Sequence, residues 1–321
     1  MNLLITGANG FVGRALARRL QTEELPPGLA GTPPRLTLLD LTFDGPEMPR
    51  VRRLPGSIAD LKVLAQAFAE PVDVVFHLAS IPGGMAEQQY ALAREVNLDA
   101  TVRLLEAARA QALASSKPAT FVFASTIAVF GSPLPALVDD ATPLRPKLTY
   151  GAQKLVGEIL LEDFHRHGWI QGRAVRLPGI VARPPQRTGQ LSAFLSDIIR
   201  ELAAGNSYAC PVAAESTTWL MSLPCIVDNL LHAAVMGAEA CRESRVWTLP
   251  ALRMSMMELV AAIAQVHGSE VLNRVTYSSN PALEANFGRY PPLKTPTAQA
   301  AGFKHDGDLP TLVRRALLPQ A

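Results

Sequence analysis

The chain has 321 residues, about twice a typical ~150-residue domain, with 48% hydrophobic and 18% charged side chains and a mean hydropathy of +0.15. That composition supports a sizeable core and excludes a disordered chain. Lys and Arg number 30 against 28 Asp and Glu, a net charge of +2 with no stretch that collects five or six like charges, which excludes an electrostatic surface for nucleic acid or anionic lipid and leaves a small molecule as the expected partner.

Residues 2 to 6, Asn-Leu-Leu-Ile-Thr, form a short apolar run that predicts a strand. Glycines follow, then Phe11, Val12, Leu16, Ala17 and Leu20 at helical spacing, so the opening reads strand, tight turn, helix. From Glu23 to Arg35 four prolines and two glycines predict a surface loop. Three further apolar runs read as buried parallel strands: Leu36–Leu39 ending in Asp40, Val72–Phe76 ending in His77, and Thr120–Ala124 ending in Ser125. Amphipathic stretches at Ala59–Ala69, Ala86–Leu113 and Gly151–His167 alternate with them, and Arg173–Leu177 supplies another strand. This alternation predicts an α/β fold: a Rossmann-type doubly wound parallel sheet with a smaller C-terminal α/β lobe for substrate. The expected division is 1–178 for the nucleotide-binding domain and 179–321 for the lobe, with a segment around 217–236 packing back on the first domain.

Three cysteines, Cys210, Cys225 and Cys241, lack CxxC spacing, so buried thiols in a reducing compartment are expected. No apolar run reaches the ~18 residues of a membrane span, and the N-terminus carries no basic leader, so a cytoplasmic location is expected. His165 and His167 would face apart on a helix and no HExxH pattern occurs, so no metal is expected. Gly-x-Ser-x-Gly is also absent.

Three motifs carry chemistry. Thr6-Gly7-Ala-Asn9-Gly10-Phe11-Val12-Gly13 sits between strand and helix, where Gly7 permits the turn, Gly10 lets backbone N–H groups approach a pyrophosphate, and Gly13 lets the helix pack on the strand. The helix N-terminus adds a partial positive charge there. Asp40, at the end of the second strand, is placed to accept hydrogen bonds from an adenosine ribose and to repel a 2′-phosphate, which favours NAD over NADP. Tyr150 and Lys154 fall on one helical face, so a protonated Lys154 can lower the phenol from its usual ~10 and make Tyr150 a general base. On an arbitrary helix such a pair is a surface pair.

Together with His77-Leu-Ala-Ser80, Asn97, Ser125-Thr-Ile-Ala-Val-Phe-Gly131 and Arg176-Leu-Pro-Gly179, these motifs resemble the extended short-chain dehydrogenase/reductases, the NAD-dependent epimerase/dehydratase branch, over nearly the whole chain. The resemblance implies that Thr126 orients the substrate oxygen, that Tyr150 is the acid/base, and that Lys154 holds both the ribose and the tyrosine. It implies NAD contacts from Ser57 and Ile58 at the adenine, from Leu78, Ala79 and Ser80, from Asn97, from Ser125 beside the nicotinamide, and from Leu177 and Pro178 near its amide. A homodimer through a four-helix bundle of the Ala86–Leu113 and Gly151–His167 stretches is likewise implied.

Family members acting on nucleotide-diphosphate sugars carry an arginine for the diphosphate in the second lobe. Here that stretch reads Thr217-Thr-Trp-Leu-Met-Ser-Leu-Pro-Cys-Ile-Val-Asp228, without the arginine, which disfavours such a substrate. Ser125–Pro135, Ala182-Arg-Pro184, Trp219, Asp228–Ala233 and Tyr290-Pro-Pro resemble instead a dehydrogenase group of this family that oxidises the 2-hydroxyl of short sugar acids such as D-erythronate. A carboxylate needs a cation or a nest of donors, and Arg183 sits just past the nicotinamide-side strand with Arg187 following in the loop; Ser80, Ser192 and Trp219 are further candidates for the substrate wall. The expected function is NAD-dependent oxidation of a sugar acid to its 2-oxo acid. The alternatives are a nucleotide-sugar epimerase or dehydratase and a non-catalytic NAD-sensing protein.

Overall fold

The computed structural model describes residues 1–21, 25–29, 33–44, 49–185 and 192–318. In chain order β1 (Asn2–Thr6), α1 (Phe11–Arg19), β2 (Arg35–Asp40), β3 (Val51–Pro55), α2 (Leu61–Ala67) and β4 (Val74–His77) alternate as expected, apart from β3, which the sequence does not announce. Next come α3 (Gly83–Gln88), α4 (Tyr90–Ala93), a π-helical segment (Arg94–Asp99), α5 (Ala100–Ser115), β5 (Ala119–Thr126), a 3-10 turn (Ile127–Phe130), α6 (Thr149–Arg166) and β6 (Ile170–Leu177). The single helical stretch expected over Ala86–Leu113 is thus broken. Gln89, at φ −127°, ψ 62°, leaves the helical region, and the π segment takes in an extra residue.

The later elements are β7 (Gly179–Val181), α7 (Phe194–Ala203), β8 (Tyr208–Cys210), β9 (Thr217–Ser222), α8 (Leu223–Val235), β10 (Val246–Thr248), β11 (Leu252–Ser255), α9 (Met256–His267), β12 (Val275–Tyr277), α10 (Pro281–Phe287), α11 (Pro296–Ala300) and α12 (Leu309–Ala316).

The chain forms two compact units. The first comprises Met1–Val129, Pro146–Arg176 and Val227–Trp247. Its seven-stranded sheet runs β10-β6-β5-β4-β1-β2-β3, and the pairings from β3 through β2, β1 and β4 to β5 are parallel. This is the doubly wound order, with the strand order reversing between β1 and β4 at the C-terminal ends where ligands bind in such sheets. Leu4, Leu39, Val75, Phe121 and Phe123 from the sheet meet Leu104, Leu161 and Phe164 from α5 and α6 in its core. Each such side chain contributes about 1.5–3 kcal/mol on burial.

The second unit comprises Phe130–Arg145, Leu177–Ile226 and Thr248–Ala321. Here the sheet β11-β9-β7 and the pair β12-β8 pack with α7, α9 and α12 around Ile198, Ile199, Leu220, Leu259 and Leu312. β9 belongs to this unit, so the stretch that joins the first unit is Val227–Trp247 rather than one starting near residue 217. α9 opens with a capping box in which Ser255 Oγ accepts from Glu258 N and the Glu258 carboxylate accepts from Ser255 N.

Candidate active site

β1 delivers Thr6 to a turn in which Gly10 N–H donates to Gly7 O at 3.1 Å. Gly7 stands at φ +68° with Ala79 N only 2.6 Å from where a Cβ would lie, and a Cβ on Gly13 would overlap the Gly7 carbonyl. Only glycine allows the turn to sit this close to the chain leaving β4. No side chain caps α1 at Gly10, so its first amides and the positive end of its dipole are open to an anion. Phe11 and Val12 follow, half-buried.

Asp40, at the end of β2, is tied to that turn: its Oδ2 accepts from Asn9 N–H at 2.8 Å and its Oδ1 from Leu41 N–H at 2.7 Å. Beyond β3, Ser57 Oγ accepts from Ala59 N–H and Ile58 is buried. Leu78, Ala79 and Ser80 leave β4 half-buried, with Leu78 N–H donating to Thr6 O.

A buried chain of side chains fixes this segment. Thr101 Oγ donates to Asn97 O and therefore accepts from His77 Nε2 at 2.8 Å, which leaves His77 Nδ1 to accept from Thr6 Oγ at 2.7 Å. Burial and the neighbouring Lys154 charge hold His77 well below its ordinary range, so it is neutral, as this tautomer requires. Asn97, inside the π segment, accepts from Ile81 N–H at 2.7 Å and donates to Ile81 O and to Gln153 Oε1. Its amide, expected at the cofactor, instead pins the Ser80–Ile81 segment to α6.

Thr126 ends β5, and its Oγ accepts from Ala128 N–H at 3.1 Å, leaving the hydroxyl hydrogen to donate elsewhere. Tyr150 lies in the first turn of α6. A Cβ on Gly151 would stand 2.5 Å from Ala128 O, so glycine lets this turn lie directly on the turn that follows Thr126. Glu87 of α3 caps α6 by accepting from Thr149 N–H at 2.6 Å. Lys154 lies one turn on, 2% exposed, its Nζ 5.8 Å from the Tyr150 ring centre. Burial lowers the Lys154 ammonium to about 7, against the opposing pull of Glu158. The end of β5 and the first turns of α6 thus carry a hydroxyl, a phenol and a buried amine, the kinds of group that binding and deprotonating an alcohol require.

Two expected site residues have partners within the protein. Ser125 faces α6, opposite to Thr126 on the alternating strand; it is buried and its Oγ gives its hydrogen to Glu158 Oε1. Trp219 is 1% exposed, donates its indole N–H to Pro291 O at 2.8 Å and meets the Tyr290 ring edge-on at 4.9 Å. It is core of the second unit, not a substrate wall.

Leu177, Pro178, Arg183 and Ser192 also belong to the second unit. Arg183 is half-buried, its N–H donates to Ser196 Oγ at 3.0 Å and its carbonyl accepts from Arg200. Arg187 lies outside the described residues. Glu158, Gln153 and Glu87 were not singled out by sequence, and Arg176 only as the first residue of the Arg176–Gly179 motif; Glu158 was within reach, standing at i+4 from Lys154.

The glycine turn, the uncapped α1 and the acid at the end of β2 fit NAD: the turn accommodates a diphosphate, and the Asp40 carboxylate suits a ribose diol while opposing a 2′-phosphate. The fold and this constellation define a Rossmann-type nicotinamide-nucleotide enzyme. The chain belongs to the NAD dependent epimerase/dehydratase family, whose pattern matches residues 3–219. It is 39% identical over 320 residues to a D-erythronate dehydrogenase of Cupriavidus necator, covering 98% of this chain and 97% of that one. It is 30% identical to a D-erythronate dehydrogenase of Haemophilus influenzae, with 98% of each chain covered. Among solved structures, a nucleoside-diphosphate-sugar epimerase from Agrobacterium tumefaciens superimposes with a TM-score of 0.90 at 29% identity, covering 98% of this chain and 92% of that one. No described helix is long and apolar enough to cross a membrane, and among the described residues no group of three or more His, Cys, Asp or Glu could hold a metal ion.

Proposed function

We propose that this protein oxidises the 2-hydroxyl of a short sugar acid such as D-erythronate to the 2-oxo acid with NAD. The observation that carries the reading is full-length similarity, at 39% identity, to a D-erythronate dehydrogenase, joined to a Thr126, Tyr150 and Lys154 constellation intact on β5 and α6. Gly7, Gly10, Gly13 and Asp40 hold the dinucleotide, with Ser57, Ile58, Leu78 and Ala79 along it. When bound, NAD supplies the acceptor for two electrons and the C2 hydrogen.

Thr126 Oγ holds the substrate hydroxyl by donating to its oxygen. Tyr150, as phenolate, takes the hydroxyl proton. Lys154 binds the ribose and its positive charge keeps the phenolate accessible. Ser80, on the segment leaving β4, binds a substrate hydroxyl. Tyr150→Phe is expected to lower turnover by at least about 10³-fold while NAD binding, read by fluorescence, stays within a few-fold. Retained turnover rejects the assignment of the base.

The similarity to the Agrobacterium epimerase structure favours a second reading, in which the same residues oxidise a nucleotide-linked sugar transiently. NAD that co-purifies, with no net NADH release, distinguishes it. We further assign a cytoplasmic location, in keeping with three buried cysteines that form no disulfide. A homodimer through α4, α5 and α6 accounts for the exposed Tyr90, Leu92, Leu113, Val156 and Ile159 on those helices. Sedimentation velocity tests it, a monomer at micromolar concentration being the contrary result.

A further inference from the structure

Beneath the acid–base pair lies a buried ion pair of which only one member, Arg176, belongs to a sequence motif. Glu158, one turn beyond Lys154 on α6, is 2% exposed. Arg176 on β6 donates from Nε to Oε1 at 3.0 Å and to Oε2 at 3.3 Å, and from Nη2 to Oε2 at 2.8 Å; Ser125 Oγ on β5 donates to Oε1. The Arg176 side chain is only 12% exposed. A buried pair of this kind is held against a large desolvation cost, and apolar replacements of similar volume are often no less stable. Its place, on the helical face of Lys154, supplies a reason for it that stability does not.

We propose that Glu158 is a positioning residue for the Tyr150 and Lys154 pair: its carboxylate, anchored by Arg176 and Ser125, keeps the buried lysine charged, and Arg176 sets how much of that negative charge the lysine feels. This inference rests on the dehydrogenase reading above.

The two catalytic groups share protons. With one removed, the pair is either phenolate with ammonium or phenol with amine, and only the first can take a proton from an alcohol. Negative charge at Glu158 favours the first, being one helical turn from Lys154 and two from Tyr150. The other titratable groups around the lysine include His77 on β4, kept neutral by burial and by the lysine, and Glu162 a further turn along α6, whose carboxyl is raised by burial and by Glu158 and eased by Arg176. The Phe123 ring on β5 covers the ammonium at 4.6 Å. Glu158 is the group that opposes the desolvation of Lys154.

The test is a titration of Lys154 by NMR of lysine ¹³Cε in the NAD-free protein, one of six lysines in the chain, its resonance assigned by its absence in Lys154→Arg. Glu158→Gln keeps the shape and the acceptor for Ser125 but removes the charge. The midpoint is expected to fall by roughly 1 pH unit, and the plateau of kcat/KM with it by about tenfold as the phenol–amine form gains. Arg176→Gln leaves the carboxylate uncompensated, so its midpoint moves the opposite way, upward. Glu158→Asp retains the charge and returns the midpoint towards that of wild type. A purely structural role lowers activity in both neutralising variants without opposite shifts. Equal midpoints in all three proteins, or shifts of the same sign, overturn the proposal. If Glu158→Gln does not fold, Arg176→Gln alone decides, an unshifted or lowered midpoint being the contrary result. Opposite shifts without turnover of any sugar acid would reject the dehydrogenase reading and retain the electrostatic one; turnover with unmoved midpoints would reject only the latter.

Discussion

The Lys154 Nζ lies 4.6 Å from the centre of the Phe123 ring, inside the layer between α6 and the central sheet. A ring face is a weak substitute for water around an ammonium, and the desolvation that remains lowers the lysine to about 7. Between about 7 and its ordinary 10.5 the unfolded chain therefore binds more protons than the folded one, so stability from this group rises with pH across that window and is lowest below it. Lys154→Met removes the effect. We expect the variant's thermal stability relative to wild type to be greatest near pH 6.5 and to shrink by roughly 1 kcal/mol per pH unit towards pH 9.5, measured by calorimetry.

Asp40 connects cofactor choice to the glycine turn, because its Oδ2 takes the Asn9 N–H. Asp40→Ser removes both the ribose acceptor and the charge that opposes a 2′-phosphate. NAD affinity is expected to fall about tenfold and the preference for NAD over NADP to narrow by more than that, as read by fluorescence titration. An unchanged preference would contradict the role given to this carboxylate.

Trp219 separates core from wall. Trp219→Phe leaves the Pro291 carbonyl without its donor, at a cost of about 1–2 kcal/mol, and Trp219→Ala costs about 3–5 kcal/mol through the cavity. Denaturant unfolding should register both losses. For Trp219→Phe, KM for substrate is expected to remain within about twofold, since the indole is not at the surface.

Gly151 tests how Tyr150 is brought to Thr126. Gly151→Ala puts a methyl 2.5 Å from Ala128 O and forces the first turn of α6 away. Turnover is expected to drop about 10²-fold with NAD affinity nearly unchanged, the behaviour of a displaced base. A loss confined to NAD binding would contradict the placement.

Much of this was legible in the sequence, for reasons visible in particular residues. β1, β4 and β5 are central strands buried on both faces and β2 buries Leu36, Leu38 and Leu39, so they read as apolar runs. β3, Val-Arg-Arg-Leu-Pro, is an edge strand in which only Leu54 is buried, and its two arginines hide it. The break at Gln89 and the π segment that carries the buried Asn97 are each events of a single residue, which apolar periodicity over 28 residues cannot register. Ser125 and Thr126 are both small hydroxyl residues at the end of one strand, and only the pleat decides that one meets Glu158 while the other keeps its hydrogen for a ligand. Trp219 carries a polar edge that sequence reading assigns to substrate and the fold gives to Pro291.

The account's central claim is tested most directly by incubating the purified protein with NAD, and separately with NADP, across four- to six-carbon aldonic acids including D-erythronate and L-threonate, while following absorbance of the reduced cofactor. The account requires NADH formation with a short acid, and a rate with NADP at least tenfold lower. Silence across the panel from protein that already carries NAD, followed by conversion of a nucleotide-diphosphate sugar, would contradict it.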